Sequence, residues 1–192
     1  MNQIESIFWG IISGLSAVFL EFVIFATFTL FSNPTDEISM AKFFTIPAFV
    51  ITSAFIEELC KYTIIATRID MISLKWSYIL NSFLVGFGFF AIELIIILLF
   101  GVFPPYSLIA ELAIVHSGTA ALMGYVMSFR NPTKPLTFLL AIFPALVFHA
   151  SYNILSLSRN LVTNYIIGAL LVSLIGILFI AIFRTSSRLA QE

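Results

Sequence analysis

The chain of 192 residues is 60% hydrophobic and only 10% charged, with a formal net charge of −1 and a mean hydropathy of +1.09. A soluble domain carries about 25% charged and 45–50% apolar residues, so this composition excludes a water-soluble fold and points to a bilayer. The near-zero charge argues against a nucleic-acid surface, and the single cysteine, Cys60, excludes an intramolecular disulfide.

Six apolar segments follow one another, at roughly residues 7–31, 43–67, 76–100, 106–129, 136–157 and 161–183. Each has the ~20 apolar residues that one helical span requires. The first has no Lys or Arg before it and is too long for the apolar region of a signal peptide, so it reads as a retained helix. It carries Gly10 and Gly14 in a GxxxG spacing, which lets helices approach closely. Glu21 lies seven residues beyond Gly14, on the same face, and reads as a structural hydrogen-bonding group. The second segment holds Glu57, Glu58, Cys60 and Lys61; the third holds Glu93. The fourth starts near Glu111, which reads as an interfacial group, and carries His116. The fifth contains His149 and Asn153, with Pro144 expected to kink it. Breakers at 33–37, 68–75, 104–105, 131–135 and 158–160 separate the segments. Asp36 and Glu37 read as a solvated loop. No connection can hold a soluble domain, and no repeat supports an inverted-repeat transporter.

Lys and Arg set the orientation. Arg68, Lys75, Arg130, Lys134, Arg184 and Arg188 gather at one face, and only Lys42 and Arg159 at the other. The expected fold is an all-α polytopic membrane helix bundle of about six transmembrane helices, with both termini cytoplasmic. It forms one integral membrane domain over 1–192, with its polar motifs on helices spanning about 43–157.

Ionisable groups at bilayer depth cost at least ~2.5–3.5 kcal/mol each, so Glu57, Glu58, Lys61, Glu93, His116 and His149 call for an explanation. At 1.5 Å per residue, Glu57 and Glu58 lie roughly 15 Å from the inner end of their helix. His116 is about 15 Å from the outer end of its own, and His149 and Glu93 about 20 and 24 Å from inner ends. The helices alternate in direction, yet these groups fall in one slab, which predicts one shared polar cavity. Glu57 and Lys61 are i,i+4, so Lys61 is expected to pair with Glu57. Adjacent carboxylates at low dielectric do not both ionise easily, and an acid pair sharing a proton suits activation of water. His149 and Asn153, also i,i+4, offer donors for a developing oxyanion. The 22 phenylalanines, Cys60, Met123 and Met127 read as packing residues.

Four motifs stand in order on successive helices: EExxK at Glu57-Glu58-Leu59-Cys60-Lys61, FxxxE at Phe89–Glu93, His116 before the small run Ser117-Gly118-Thr119-Ala120-Ala121, and HxxxN at His149–Asn153. The set resembles the PrsW family of glutamic-type intramembrane proteases, relatives of the type II CAAX prenyl endopeptidases and the bacterial Abi (CPBP) proteins. The EExxxR and FxxxH relatives fit less well, since position 62 is tyrosine and the FxxxH slot holds Glu93. The resemblance implies hydrolysis of a peptide bond of a membrane-associated protein, of the kind seen in site-one cleavage of anti-sigma factors. It implies a prokaryotic cell membrane, a membrane-protein substrate, and no cofactor or metal. Glu57 is then the general base, Glu58 orients the water or shares the proton, and Lys61 sets the charge of the pair. Glu93 and His116 hold the water, and His149 and Asn153 stabilise the oxyanion.

Other protease chemistries lack their residues. There is no HExxH, no GxSG and no intramembrane aspartate pair, Asp36 and Asp70 being in loops. The readings left open are a proton- or cation-coupled transporter or channel using the same groups, a zinc hydrolase built on two histidines and three glutamates, and a proteolytically inactive protein on the same fold.

Overall fold

The computed structural model of the chain describes residues 1–31, 45–69 and 75–189. Among them are six helices and no strand: α1 (Gln3–Phe31), α2 (Pro47–Arg68), α3 (Lys75–Leu99), α4 (Tyr106–Ser128), α5 (Pro135–Ser156) and α6 (Leu161–Leu189). Asp36, Glu37, Lys42 and Asp70, read from sequence as loop residues, lie outside the described residues.

The helices begin and end where local chemistry allows. Asn2 accepts from the Glu5 backbone N–H at 2.8 Å, while Glu5 accepts from that of Asn2 at 3.4 Å, a reciprocal cap at the start of α1. Asn160 and Thr163 repeat the device before α6, at 3.0 and 2.7 Å. Proline opens α2 and α5, where its fixed φ suits the first turn and no donor is lost. α3 ends at Gly101, whose φ of 74° favours glycine. There the N–H groups of Gly101 and Val102 close on the carbonyls of Leu98 and Ile97, at 3.0 and 3.3 Å. α5 runs unbroken through Pro144.

Five helices, all but α2, are long and apolar enough to cross a membrane, the pattern of a multi-pass membrane protein. α2 has 22 residues, about 33 Å of helix, so length is not the obstacle. Glu57, Glu58 and Lys61 sit together in its middle and lower its apolarity. The bundle buries what lipid would reject: Glu58 and Lys61 are fully enclosed.

α4 is the central helix and packs on α2, α3, α5 and α6. Its sequence explains this. The unbroken buried run from Val115 to Gly124 consists largely of Ser, Gly, Thr and Ala, which let four neighbours approach. α3 presses against α4 at one face and α1 at another. A Cβ on Gly86 would strike the His116 carbonyl oxygen, and one on Gly88 would strike that of Ile7. Gly10 meets the Val85 carbonyl, and Gly14 faces Ile92 and Phe89, so the GxxxG face of α1 is the α1–α3 contact. These pairings make α1 and α3 parallel, with α4 antiparallel to both. Arg68 lies over the Trp9 ring at 3.9 Å, tying the last turn of α2 to the first turns of α1.

Backbone-to-backbone contacts at Gly10 and Gly88 leave no side chain to move aside. Gly88→Ala is therefore expected to cost about 1–3 kcal/mol in detergent unfolding. Gly168→Ala and Gly176→Ala, where a Cβ meets nothing within 4 Å, should leave the transition unchanged or slightly raised. Equal effects at all three positions would refute this packing account.

Candidate active site

Glu58, Lys61, His116 and His149 are each at most 1% exposed and meet at the centre of the bundle. Glu58 Oε1 is the hub. It accepts from Lys61 Nζ at 2.5 Å and from Thr119 Oγ1 at 3.1 Å, and lies 2.6 Å from His149 Nδ1. One carboxylate oxygen thus joins α2, α4 and α5. Lys61 also reaches Thr119 Oγ1 at 3.2 Å and His116 Nδ1 at 3.4 Å, and its ammonium lies 4.9 Å from the centre of the Phe89 ring. The sequence expectation that Lys61 pairs with Glu57 is corrected here. Both i+3 and i+4 are within reach on a helix. Glu58 has no access to solvent, whereas the Glu57 side chain keeps 13%, so the buried charge takes the cation.

Glu57 has a different setting. Its Oε2 is buried and has no hydrogen-bond partner. His149 Nε2 stands 3.6 Å from it and His116 Nδ1 3.9 Å. The opposite ring nitrogens are each against another carboxylate: His149 Nδ1 against Glu58, and His116 Nε2 against Glu93 Oε2. A carboxylate beside one imidazole nitrogen holds the proton there and leaves the other nitrogen as an acceptor. Two such nitrogens and Glu57 Oε2 face one point. The rings are fixed around it, His116 stacked on Phe89 with centroids 5.0 Å apart and edge-on to His149 at 4.8 Å. Glu93, with a third of its side chain exposed, is the most accessible member.

Glu57, Glu58, Lys61, Glu93, His116 and His149 are therefore brought together, as their common depth anticipated. Asn153 is not part of the network. It lies one turn beyond His149, half-buried, with no side-chain hydrogen bond among the described residues. Thr119 was missed by sequence reading, although it lies three residues after His116 on the same helix face. Ser53 was missed too, one turn before Glu57, to which it is joined at 3.3 Å. Glu111 stands apart, bonded by Arg159 at 2.5 Å and by the Tyr152 hydroxyl at 3.3 Å. That pairing holds the Arg159 guanidinium above its ordinary pKa. Cys60 packs beside Ala17, Ile56 and Phe89, as a small core residue.

Glu57, His116 and His149 can offer three metal-ligand atoms within 4.8 Å of one another. Two imidazoles and a carboxylate, with carboxylates behind the imidazoles, match what zinc accepts. Lys61 opposes this, because its ammonium stands 3.4 Å from the His116 nitrogen that a cation would need. Comparison with family models, with curated proteins and with solved structures gives no match for this chain.

Removing the cation from a buried pair leaves an uncompensated charge, at about 3–5 kcal/mol. Lys61→Met should cost that much in detergent unfolding. The Glu58→Gln, Lys61→Met double variant should cost less than the sum of the single changes. Strict additivity would show that the pair is not coupled.

Proposed function

We propose that this protein is an intramembrane endopeptidase that hydrolyses a peptide bond of a membrane-associated protein with a glutamate-activated water. The observation that carries the reading is the unpartnered Oε2 of Glu57, faced by one nitrogen from each of two histidines whose other nitrogens are against carboxylates. The Lys61 ammonium already stands 3.4 Å from His116 Nδ1, so the acceptors that call for a hydrogen donor are Glu57 Oε2 and His149 Nε2, and a water molecule supplies two hydrogens. Glu57 is supported over Glu58 as the base by the two histidine nitrogens beside its Oε2; Glu58 also has an unpartnered Oε2, but its Oε1 is bound by the Lys61 ammonium, Thr119 and His149.

In this reading Glu57 takes a proton from the water, and the hydroxide oxygen bonds to the peptide carbonyl carbon. The carbon–nitrogen bond then breaks, and the leaving nitrogen takes the proton. Glu58 fixes His149 and Glu93 fixes His116, and the oxyanion role expected of Asn153 requires its amide to turn toward the site, since it makes no bond to the network. Six membrane spans with both termini cytoplasmic, and kinship with the PrsW branch, belong to the same proposal. The four ordered motifs and the excess of Lys and Arg at one face support them.

A zinc hydrolase is the second reading, favoured by the Glu57, His116 and His149 triad. Metal analysis of the purified protein separates the two. The proposal expects less than stoichiometric metal and cleavage that survives a chelator. Stoichiometric zinc that disappears in His149→Gln would replace it with the metal reading.

In cells, mass spectrometry of membrane-protein N-termini should find new termini near membrane segments with the wild type, reduced at least ~100-fold with Glu57→Gln at equal abundance. Identical termini in both strains would count against proteolysis. Cation flux in liposomes that depends on Glu57 would then favour a transporter.

A further inference from the structure

Glu57 has a second oxygen, and it faces away from the histidines. Its Oε1 lies 3.3 Å from the Ser53 hydroxyl, and that hydroxyl lies 2.5 Å from Oε1 of Glu21 on α1. Ser53 is one turn before Glu57 on α2. Glu21 occupies the α1 face that also presents Ala17 and Ile24 to Ile56 and Phe89. A helix outside the four motif-bearing ones thus reaches the proposed base through one hydroxyl.

The hydrogens in this chain can be counted. A serine hydroxyl has one hydrogen to donate, and an ionised carboxylate has none. If Ser53 donates to Glu21, the link to Glu57 requires a proton on Glu57. If Ser53 donates to Glu57, the link to Glu21 requires a proton on Glu21. With both links made, the two carboxyl groups share one proton beyond the hydroxyl's own. The two arrangements interconvert by a concerted shift. The Glu57 O–H bond breaks as a new O–H bond forms on Ser53, while the original Ser53 O–H bond breaks as one forms on Glu21. The net change is one proton moved from Glu57 to Glu21, with Ser53 restored.

We infer that Glu21 is a proton-relay partner of Glu57, coupled to it through the Ser53 hydroxyl. This rests on Glu57 being the working base, as proposed above. In that reaction Glu57 must be free of a proton before it can take one from water, and the shift toward Glu21 leaves it so until the leaving nitrogen has taken the water's proton. The other ionisable groups around Glu57 are Glu58, Glu93, Lys61, His116, His149 and the Cys60 thiol, and Glu93 and Cys60 also face Glu21. Glu58 and Glu93 are taken up by the histidines, which leaves Glu21 as the carboxylate joined to Glu57 by a hydrogen-bonded path. Glu21 is a positioning residue in this scheme and touches no substrate atom.

The test needs no substrate. Infrared spectra of the purified full chain in lipid nanodiscs at neutral pH report protonated carboxyl groups by their C=O stretch. Glu21→Gln and Glu57→Gln should each alter one and the same band. The double variant should remove the area of one carboxyl group, not two. Ser53→Ala should shift or abolish the band, and Ser53→Thr, which keeps the hydroxyl, should restore it. Glutamine keeps the shape of glutamate and removes its carboxyl proton, and Ser53→Thr shows that a change reflects the hydroxyl and not misfolding. Two independent bands, or no band that responds to these substitutions, would overturn the relay. Absence of proteolysis would leave these spectra unchanged, so failure of the relay and failure of the protease reading are separable.

Discussion

An ionised carboxylate enclosed in protein at bilayer depth needs its charge met. Glu58 meets it with Lys61 and draws Thr119 and His149 onto the same oxygen, while its other oxygen is buried without a hydrogen-bond partner. Much else depends on this. The three partners come from three helices, so the hub fixes how α2, α4 and α5 face one another. It holds the His149 ring with its second nitrogen toward Glu57. It also explains how α2 can occupy the bundle although its middle carries more charge than a lipid-facing helix can bear.

The small residues are the other half of the constraint. A polar hub excludes water only if helices close tightly around it, and α4 supplies the small side chains while α3 supplies Gly86 and Gly88. Gly86 lies directly against the His116 carbonyl, so the α3–α4 contact also sets the height of a site histidine. Packing and chemistry are therefore coupled at Gly86, more tightly than the apolar surface of the bundle would indicate.

Much of this was legible in the sequence, for physical reasons. Six long apolar segments give six helices because an apolar run of that length satisfies its backbone polar groups within itself only as a helix. The common depth of Glu57, Glu93, His116 and His149 anticipated one cluster, because depth along a helix is counted in residues. What depth cannot give is azimuth. Lys61 could reach either glutamate of its pair, and only the burial of Glu58 and the presence of Thr119 decide between them. Glu21 showed as a group on the packed face of α1, but its connection to Glu57 depends on how α1 docks on α2. Asn153 shares a spacing with His149 and yet stays outside the network, since i,i+4 brings residues to one face without making them bond to the same group.

The central claim is that the unpartnered oxygen of Glu57 activates water against a peptide bond. The direct measurement is isotope incorporation. Purified protein in liposomes with membrane-protein segments is incubated in 18O-labelled water, and the new carboxyl termini are examined by mass spectrometry. The account predicts one 18O atom in each new carboxyl terminus, formed by the wild type and lost with Glu57→Gln. Cleavage without 18O in the terminus, or labelled termini formed equally well by Glu57→Gln, would contradict it.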